Sequence, residues 1–359
     1  MRSLGWGVAG YGDVVVRRVL PALFATGQQP LVLWGRREER ASATAKAFGI
    51  ARSTSDVRDL LSGVDAVYVA TPVLAHMPLA SAALRAGIPV LVEKPLRGGL
   101  RSRAGAGAGA GPDANWDRLD ARPAQGGPGP VAGVAYYRRL APVLGELSAY
   151  LAERAVSGPG QPIRAQVRFA ALFDPAVDDP MYWRTETARS GGGVLADAGS
   201  HRIDLLCRLL GRPSRVAAHY GDRFPGGAER EARLRLEWPD GSSAHGTFRW
   251  LRPDGAEASG PEDSFHLSGA DWEALVDPLD SGSLTVRGRH ARRVTLPPGP
   301  NQHVPLIRDF VDAVVLGRPP VCPLADALVV DEVLLAADGS AAGGGQPISM
   351  PVPPVPPPV

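Results

Sequence analysis

The first apolar run of the chain is LGWGVAGYGD, residues 4–13, and this stretch decides the fold. It has the pattern of a strand that ends in two glycines, Gly10 and Gly12, and a helical pattern follows it. In the pattern G-x-G-x-x-G, a loop between a strand and a helix lets a dinucleotide pyrophosphate approach the backbone amides at the amino end of the helix. Val15 stands at the third glycine position, which predicts wider packing between helix and strand. The alternative is a tight turn that binds no ligand.

Apolar runs alternate with helical patterns up to residue 95. Strands are predicted at residues 4–9, 31–34, 64–70, 88–92 and 133–137. Strands that alternate with helices are typical of a parallel, doubly wound sheet, so we predict an α/β fold with an N-terminal Rossmann domain at residues 1–140. Residues 97–130 break the pattern with Gly-Ala and Gly/Pro-rich sequence, and we predict a flexible, low-complexity excursion there.

The remainder of the chain, residues 141–350, is predicted to form a second, α+β domain. Apolar and charged residues alternate at 233–238 and again at 245–250. This period of two indicates antiparallel strands with one covered face. The tail at residues 351–359 is proline-rich and is predicted to be disordered.

Composition and charge exclude several classes of protein. The net charge is +2 with acidic and basic residues interspersed, which gives no electrostatic footprint for nucleic acid. No apolar run is long enough to cross a membrane, and the first strand leaves no room for a signal peptide. Cys207 and Cys322 lie outside any Cys/His cluster, so we predict no metal site. These features predict a cytoplasmic enzyme.

Lys94 is unusual because the chain has only two lysines, Lys46 and Lys94, among its 39 Lys and Arg residues. It follows a predicted buried strand, and the ligands of parallel sheets bind at the carboxyl ends of the strands. A lysine ammonium is compact and its pKa can be tuned, whereas arginine is always charged and forked. We therefore predict a catalytic role for Lys94. The alternative is a surface lysine kept by chance.

The end of the second predicted strand bears on the cofactor. The strand continues as Trp34-Gly35-Arg36-Arg37, and no acid occurs before Glu38. Rossmann domains that bind NAD place an acid there for the ribose 2′-hydroxyl, whereas an arginine accommodates the 2′-phosphate of NADP. Arg36, assisted by Arg37, therefore predicts NADP. NAD is the alternative, because Arg36 could instead stack on the adenine.

A second constellation lies in the predicted α+β domain. Three glycines, residues 191–193, precede a helical pattern in which Asp197 and His201 are four residues apart and would share a face. A carboxylate beside an imidazole raises the basicity of the ring, which is the arrangement that a general base needs. Asp204 continues the same polar stripe. The alternative is a helix-capping aspartate and a core histidine.

Five motifs together resemble the glucose–fructose oxidoreductase/inositol dehydrogenase/rhizopine-catabolism (Gfo/Idh/MocA) family. They are Gly10-x-Gly12, TPVLAH at residues 71–76, Glu93-Lys94-Pro95, Tyr137-Arg138-Arg139 and the glycine run with Asp197 and His201. The resemblance implies a Rossmann domain followed by a domain with a large, mostly antiparallel sheet. In the family this sheet often forms the interface of a homo-oligomer, which implies a dimer or tetramer here. Family members oxidise or reduce a secondary alcohol or ketone of sugars and cyclitols with NAD or NADP.

The resemblance also implies roles for individual residues. Lys94 corresponds to the catalytic lysine, His201 to the general acid/base and Asp197 to the acid beside it, and the Lys94–Pro95 bond is often cis in the family. The predicted cofactor-binding residues are Gly10, Tyr11, Gly12, Asp13, Arg36, Arg37, Thr71, Pro72, His76, Glu93 and Lys94. The predicted substrate-binding residues, which are polar or aromatic and suit a hydroxyl-rich ring, are Tyr137, Arg138, Tyr182, Trp183, Asn301 and His303. The alternatives are a plain helix N-terminal position for His76 and ordinary core positions for Tyr182 and Trp183.

Three functions fit these residues. The first is an NAD(P)-dependent dehydrogenase or reductase that acts on a sugar, nucleotide sugar or cyclitol. The second is a redox-neutral enzyme that keeps its dinucleotide and cleaves a glycosidic bond through a transient ketone. The third, a non-catalytic dinucleotide sensor, is disfavoured because Lys94 and His201 are both present. Residues 4–13 also resemble family members from antibiotic biosynthesis, among them the oxidoreductases of 3-amino-5-hydroxybenzoate clusters, which implies a nucleotide-sugar substrate.

Overall fold

The structure is a computed structural model, and it describes residues 2–97, 129–157, 160–253 and 260–351. Two sequence predictions, the low-complexity excursion at 97–130 and the proline-rich tail at 351–359, lie almost wholly outside the described residues.

Strands and short helices make up most of the described residues. The strands are, in chain order, β1 (Gly5–Ala9), β2 (Gln29–Trp34), β3 (Arg52–Thr54), β4 (Ala66–Val69), β5 (Val90–Val92), β6 (Ala132–Val134), β7 (Arg164–Leu172), β8 (Arg215–Tyr220), β9 (Glu231–Glu237), β10 (Ser243–Leu251), β11 (Glu262–Ser268), β12 (Trp272–Val276), β13 (Ser283–Gly288), β14 (Arg292–Thr295) and β15 (Ile348–Ser349). The α-helices are α1 (Leu20–Ala25), α2 (Glu38–Ala47), α3 (Val57–Leu61), α4 (His76–Arg85), α5 (Pro142–Ser157), α6 (Thr187–Ser190), α7 (Ser200–Leu210), α8 (His303–Leu316) and α9 (Leu324–Ala342). Two π-helical turns, Val15–Val19 and Leu195–Gly199, lead directly into α1 and α7.

The first sheet is parallel and has six strands in the order β3-β2-β1-β4-β5-β6. Every residue of β1, β4 and β5 is buried, which explains why these strands are continuous apolar runs. The prediction of a parallel, doubly wound N-terminal sheet is confirmed. The order places β1 next to β4, and β4 next to β5. Because parallel strands end at the same edge, the loops that follow these three strands lie side by side.

The second sheet has nine strands in the order β14-β13-β12-β11-β7-β10-β9-β8-β15. β7 and β10 pair in parallel, and the other neighbouring pairs are antiparallel. Along β9, Ala232, Leu234 and Leu236 are buried whereas Arg233 and Arg235 are exposed. The large, mostly antiparallel sheet and its single covered face are therefore as predicted.

Local signals explain where several helices begin and end. The side chain of Asp56 accepts a hydrogen bond from the Arg58 amide at 2.7 Å and caps the start of α3. Glu38 and Glu39 lie in the first turn of α2, where negative charge is favoured. Gly317 ends α8 in the left-handed conformation, with φ of +64°.

The chain forms two compact units, and their boundaries are not linear in sequence. Unit 1 comprises Met1–Ala141 and Gly299–Leu328, and unit 2 comprises Pro142–Pro298 and Val329–Val359. The sequence-based division assigned all of residues 141–350 to the second domain, whereas α8 packs within unit 1. There the Phe310 ring lies 5.7 Å from the ring of Trp6 on β1. The segment Gly299–Leu328 thus returns to the unit with which the chain begins.

In the parallel sheet, one strand ends earlier than predicted and another was not predicted. The last strand of the parallel sheet was predicted at 133–137, but β6 ends at Val134 and the turn of 3-10 helix Tyr137–Leu140 follows. β3, which has only three residues, was not predicted. Its sequence, Arg52-Ser53-Thr54, is polar throughout, so it shows neither an apolar run nor an alternation.

Candidate active site

In the glycine loop after β1, the backbone of Gly10 adopts a conformation and a close contact that favour glycine. Gly10 has φ of +122°, and a Cβ there would lie 2.3 Å from the carbonyl oxygen of Ala70. Only glycine fits this position. A Cβ on Gly12, in contrast, would meet nothing within 4 Å. The loop therefore leaves open space at the position that a Gly12 Cβ would occupy.

The residues that flank the loop connect it to the end of β2. The Tyr11 ring packs against Gly35, because a Cβ on Gly35 would lie 2.2 Å from Tyr11 Cε1. Asp13 is exposed and forms an ion pair with Arg17, with 2.6 Å between Oδ1 and Nε. Val15, at the third glycine position, is fully buried and opens a π-helical turn.

Arg36 and Arg37 follow β2 after one residue, Gly35, and both are exposed. Arg37 stands just before the first residue of α2. The next acid, Glu38, accepts a hydrogen bond from the Ser55 hydroxyl at 3.1 Å, so it has a partner at the start of α2. Between β2 and α2 the chain thus carries two exposed arginines and no aspartate or glutamate.

His76 joins the loop after β4 to the loop after β5. It is 1% exposed. Its Nδ1 lies 2.9 Å from the Pro95 carbonyl oxygen, and its Nε2 lies 2.7 Å from the Thr71 carbonyl oxygen. Burial lowers the pKa of His76 against the opposing effect of these two carbonyls. A neutral ring has one N–H, so it donates to one of the two carbonyls at a time.

Lys94 follows β5 and is half-buried, and its bond to Pro95 is cis, as the family resemblance implied. Thr71 and Pro72 occupy the neighbouring loop after β4, and Pro72 precedes the turn of 3-10 helix Val73–Ala75. The glycine loop, Thr71 and Lys94 therefore stand on three adjacent loops at the carboxyl edge of one sheet. This is the edge at which parallel sheets bind ligands.

Glu93 is the centre of a buried polar cluster in unit 1. Its Oε1 accepts a hydrogen bond from the Tyr68 hydroxyl at 2.9 Å and lies 3.1 Å from His303 Nε2. Burial raises the pKa of Glu93, but the hydrogen bond and charge of His303, the charge of Lys94 and the Tyr68 hydroxyl outweigh it, so the pKa lies below its ordinary value. Burial and Glu93 together raise the pKa of Tyr68.

Four predicted substrate-binding residues, Tyr137, Arg138, Asn301 and His303, lie in or near this cluster. His303 is 4% exposed, and its ring lies 5.1 Å from the ring of Tyr137. Arg138 is buried and donates a hydrogen bond to the Tyr137 hydroxyl at 3.3 Å. The Asn301 side chain donates to the Arg18 carbonyl at 2.8 Å and accepts from the His303 amide at 3.0 Å. Asn301 and His303 thus have partners within unit 1 that the sequence did not reveal.

In unit 2 the glycine run leads into a single helical segment that carries Asp197 and His201. Asp197 lies in the π-helical turn and forms an ion pair with Arg184, with 3.4 Å between Oδ2 and Nε. His201 lies in the first turn of α7 and is 4% exposed. The π-helical turn Leu195–Gly199 thus contains Asp197 and ends directly before α7, which carries His201.

Two arginines missed by the sequence analysis help to form this part of unit 2. Arg184 belongs to the turn of 3-10 helix Tyr182–Thr185, and its guanidinium lies 4.7 Å from the centre of the Trp183 ring. Tyr182 and Trp183 themselves are half-buried. Arg202 is 1% exposed and forms an ion pair with Asp263 on β11. The sequence could have indicated Arg184, because it directly follows two aromatic residues, Tyr182 and Trp183. No comparable pattern in the sequence marks Arg202.

The six-stranded parallel sheet and the glycine loop define a dinucleotide-binding α/β protein. Residues 4–101 match the model of the oxidoreductase family with an NAD-binding Rossmann fold, and residues 158–271 match that of the GFO/IDH/MocA C-terminal domain. The two matches together cover more than half of the 359 residues. The chain belongs to the Gfo/Idh/MocA family, which confirms the family predicted from the motifs.

Named relatives are sugar oxidoreductases. The 1,5-anhydro-D-fructose reductase of Ensifer adhaerens is 33% identical over 207 residues, which are 57% of this chain and 56% of the relative. The D-xylose 1-dehydrogenase (NADP(+)) 2 of Haloferax volcanii is 27% identical over 241 residues, 67% of each chain. The chain thus spans little more than half the length of the first relative and two thirds of the second.

A solved structure shares the fold over nearly the whole chain. Levoglucosan dehydrogenase in complex with NADH and levoglucosan superimposes with a TM-score of 0.79 at 21% identity, and covers 98% of this chain and 100% of that one. The comparisons do not single out the 3-amino-5-hydroxybenzoate group, and NADP rather than NAD stays a prediction. Within the described residues no helix has the length and apolar character needed to span a membrane.

Proposed function

We propose that the protein is an NAD(P)-dependent dehydrogenase or reductase that acts on a secondary alcohol or ketone of a sugar or related polyol. The observation that carries this proposal is the position of Lys94, on the loop of β5 at the carboxyl edge, two strands from the glycine loop. Family membership and the names of the relatives support the substrate class.

The residues of unit 1 fit a nicotinamide dinucleotide. The open space beside Gly12 admits a pyrophosphate, and the exposed Arg36 and Arg37 stand where an adenosine ribose would lie. When bound, the nicotinamide supplies or accepts the hydride, which is the chemistry that no protein side chain provides. Tyr11 and Asp13 flank the loop and would line the same site.

Lys94 and His201 have complementary roles in the proposed reaction. His201 takes the proton of the alcohol during oxidation and returns it during reduction. The Lys94 ammonium donates a hydrogen bond to the substrate oxygen, on which negative charge develops. Asp197, held by Arg184, contributes negative charge to the turn that leads to His201. Negative charge favours the protonated form of an imidazole and so strengthens it as a base.

A substrate screen tests the proposal. Purified protein is mixed with NAD or NADP and with nucleotide sugars, free hexoses, inositols and anhydro sugars, and the absorbance of the reduced nicotinamide is followed. We expect turnover with at least one of these classes, and its loss in the His201→Ala variant. Release of free sugar from a glycoside without net reduction would instead indicate the redox-neutral reaction. Tight dinucleotide binding with no chemistry on any substrate would indicate a sensor.

The preferred cofactor in this proposal is NADP. Arg36 follows β2 at the position where family members that prefer NAD would carry an acid, and one relative is named for NADP(+). The solved complex with NADH shows that the same fold also accepts the other dinucleotide. The choice depends on whether Arg36 contacts a 2′-phosphate or stacks on the adenine.

The proposed assembly is a homo-oligomer, a dimer or tetramer, formed through the outer face of the nine-stranded sheet. On that face β9 and β10 expose Arg233, Arg235 and His245. Light scattering after size exclusion measures the assembly. A monomer at micromolar concentration would reject this part of the proposal.

A further inference from the structure

Glu229 is a buried carboxylate to which the proposed mechanism gives no role. It stands in the connection between β8 and β9 and is 3% exposed. Its neighbours Ala228 and Arg230 are also buried, although most of the connection before them is exposed. A carboxylate is costly to bury unless its oxygens accept hydrogen bonds. The hydrogen-bond partners of Glu229 therefore indicate its role.

Those partners are three consecutive backbone amides at the start of the helical segment that carries Asp197 and His201. The Gly193 N–H donates to Oε2 at 2.8 Å, and the Leu195 N–H donates to Oε1 at 3.1 Å. The Val194 N–H, between them, donates to the backbone carbonyl of Glu229 at 3.0 Å. The first amides of a helix have no partner inside the helix. Here one residue, 34 to 36 positions further along the chain, satisfies all three.

Gly193 is a glycine because Glu229 lies against it. A Cβ on Gly193 would lie 2.1 Å from the Glu229 carbonyl oxygen and 2.7 Å from its Cδ. Gly193 also accepts a hydrogen bond from the Asp197 amide at 3.0 Å, so the next turn of the segment is built on it. A direct line of contacts therefore runs from Glu229 through Gly193 to Asp197.

The connection that holds Glu229 also contacts the segment that holds Arg184. The Ala228 amide donates to the Thr185 carbonyl at 3.2 Å, and the Thr187 amide donates to the Gly226 carbonyl at 3.0 Å. Thr185 follows Arg184, whose guanidinium pairs with Asp197. The Asp197 backbone and the Asp197 carboxylate thus both depend on the chain around Glu229.

We propose that Glu229 is a positioning residue: it fixes the first turn of the helical segment that carries Asp197 and His201. The effect on catalysis rests on the proposed function, whereas the effect on the helical segment does not. Glu229 acts through the backbone and contacts no substrate in this proposal.

The test is the Glu229→Gln variant, with Glu153→Gln as the matched control on an exposed glutamate of α5. Glutamine keeps the size of the side chain, but its amide nitrogen cannot accept a hydrogen bond, so one of the two amides loses its acceptor. We expect kcat to fall by about tenfold to a hundredfold, as for small misplacements of a reacting group. Dinucleotide affinity should stay unchanged, because the residues proposed to bind it lie in unit 1.

Hydrogen exchange measured by mass spectrometry gives a second readout that requires no substrate. Peptides that contain residues 193–195 should exchange faster in Glu229→Gln, while peptides from β9 and β10 keep their protection and Glu153→Gln matches the wild type. Wild-type exchange at 193–195 together with wild-type kcat would overturn the proposal. Equal loss of protection across the whole nine-stranded sheet would also overturn the proposal, because it would indicate that Glu229 stabilises the core of unit 2 in general.

If Glu229→Gln does not fold, hydrogen exchange of the wild-type protein tests the proposal. Its amides at residues 193–195 should then exchange as slowly as those of β9, and rapid exchange would overturn the proposal. A wild type that shows this protection but turns over no sugar would reject the proposed function and leave the positioning role intact.

Discussion

The residues on both sides of Lys94 are fixed by buried partners. On one side, the Glu93 carboxylate accepts from the Tyr68 hydroxyl and lies against His303. On the other, the Pro95 carbonyl lies 2.9 Å from His76 Nδ1. A reacting group that is misplaced by an ångström can lose a large part of its effect, so such anchoring suits a catalytic side chain.

We expect Lys94→Ala to lower kcat by about 10²–10⁴-fold, the range for loss of a positioned proton-transfer or charge-stabilising group. Dinucleotide binding, measured by fluorescence titration, should remain close to that of the wild type. Lys94→Arg should also be impaired, because a forked guanidinium does not replace a compact ammonium. The control is Lys46→Ala, which removes the only other lysine from an exposed position on α2. Near-wild-type turnover of Lys94→Ala would remove Lys94 from the reaction.

Arg36→Asp tests the choice of dinucleotide. A charge-assisted contact between guanidinium and phosphate contributes about 1.5–3 kcal/mol, so NADP affinity should fall by about tenfold to a hundredfold. NAD affinity should rise, because the new carboxylate can accept hydrogen bonds from the ribose hydroxyls. Arg40→Asp, an exposed arginine further along α2, is the control. If the wild type binds NAD as tightly as NADP, Arg36 does not contact a 2′-phosphate and the preference for NADP is wrong.

At the scale of elements, the sequence predicted what depends on local pattern. Continuous apolar runs predicted β1, β4 and β5 because these strands are buried along their whole length. Alternation predicted β9, because only one of its faces is covered. β3 was missed because its sequence, Arg52-Ser53-Thr54, contains no apolar residue that could mark a buried strand. The glycine loop was recognisable because Gly10 has a backbone that only glycine adopts easily.

Contacts between distant segments could not be predicted in the same way. The spacing of Asp197 and His201 predicts a shared helix face, but no local pattern indicated that Asp197 lies in a π-helical turn or that it forms an ion pair with Arg184. His303 was assigned to substrate binding, and nothing local in the sequence indicated that α8 returns to unit 1 and places it against Glu93. Each of these contacts joins residues that only the folded chain brings together.

The two glycines of the loop should respond differently to the same substitution. Gly10→Ala forces a Cβ to 2.3 Å from the Ala70 carbonyl at a positive φ, and should lower the free energy of unfolding by at least about 1–3 kcal/mol. Gly12→Ala meets no atom within 4 Å and should leave stability unchanged, but its methyl group should obstruct the pyrophosphate and weaken dinucleotide binding. Urea unfolding and cofactor titration of both variants measure this contrast. Unchanged cofactor affinity in Gly12→Ala would show that no dinucleotide lies there.

At the scale of the whole molecule, each unit contains a buried carboxylate, and their pKa values shift in opposite directions. Glu93 in unit 1 has a lowered pKa, because His303, Lys94 and Tyr68 outweigh the cost of burial. Glu229 in unit 2 has its pKa raised to about 7, mainly by burial, with Asp338 adding negative charge nearby. Glu93 therefore stabilises the fold above its ordinary pKa of 4.5, and this contribution is lost as the pH falls through its lower folded value.

Glu229 should make unit 2 less stable as the pH rises from about 5 to 8. Its folded pKa of about 7 exceeds the ordinary value of 4.5, so between these values the folded state binds more protons than the unfolded state. The free energy of unfolding then decreases with rising pH, by at most about 3 kcal/mol at about 1.4 kcal/mol per pH unit. Around Glu229, Asp338 is hydrogen-bonded to Tyr220 at 2.7 Å, and the burial of Tyr220 raises its pKa, so the tyrosine stays neutral in this range.

The measurement is urea unfolding at pH values from 5 to 8. Unfolding is monitored by hydrogen exchange in peptides from β9 and β10, so that unit 2 is observed separately. Glu229→Gln carries no proton equilibrium at this position, so the stability of the wild type relative to this variant should fall steadily with rising pH. Glu153→Gln, with its exposed site, should follow the wild type throughout. A constant difference between wild type and Glu229→Gln would mean that Glu229 titrates below pH 5. In that case the Gly193 and Leu195 amides, which donate to the carboxylate, compensate the burial of its charge fully, and its hold on the helical segment does not depend on pH.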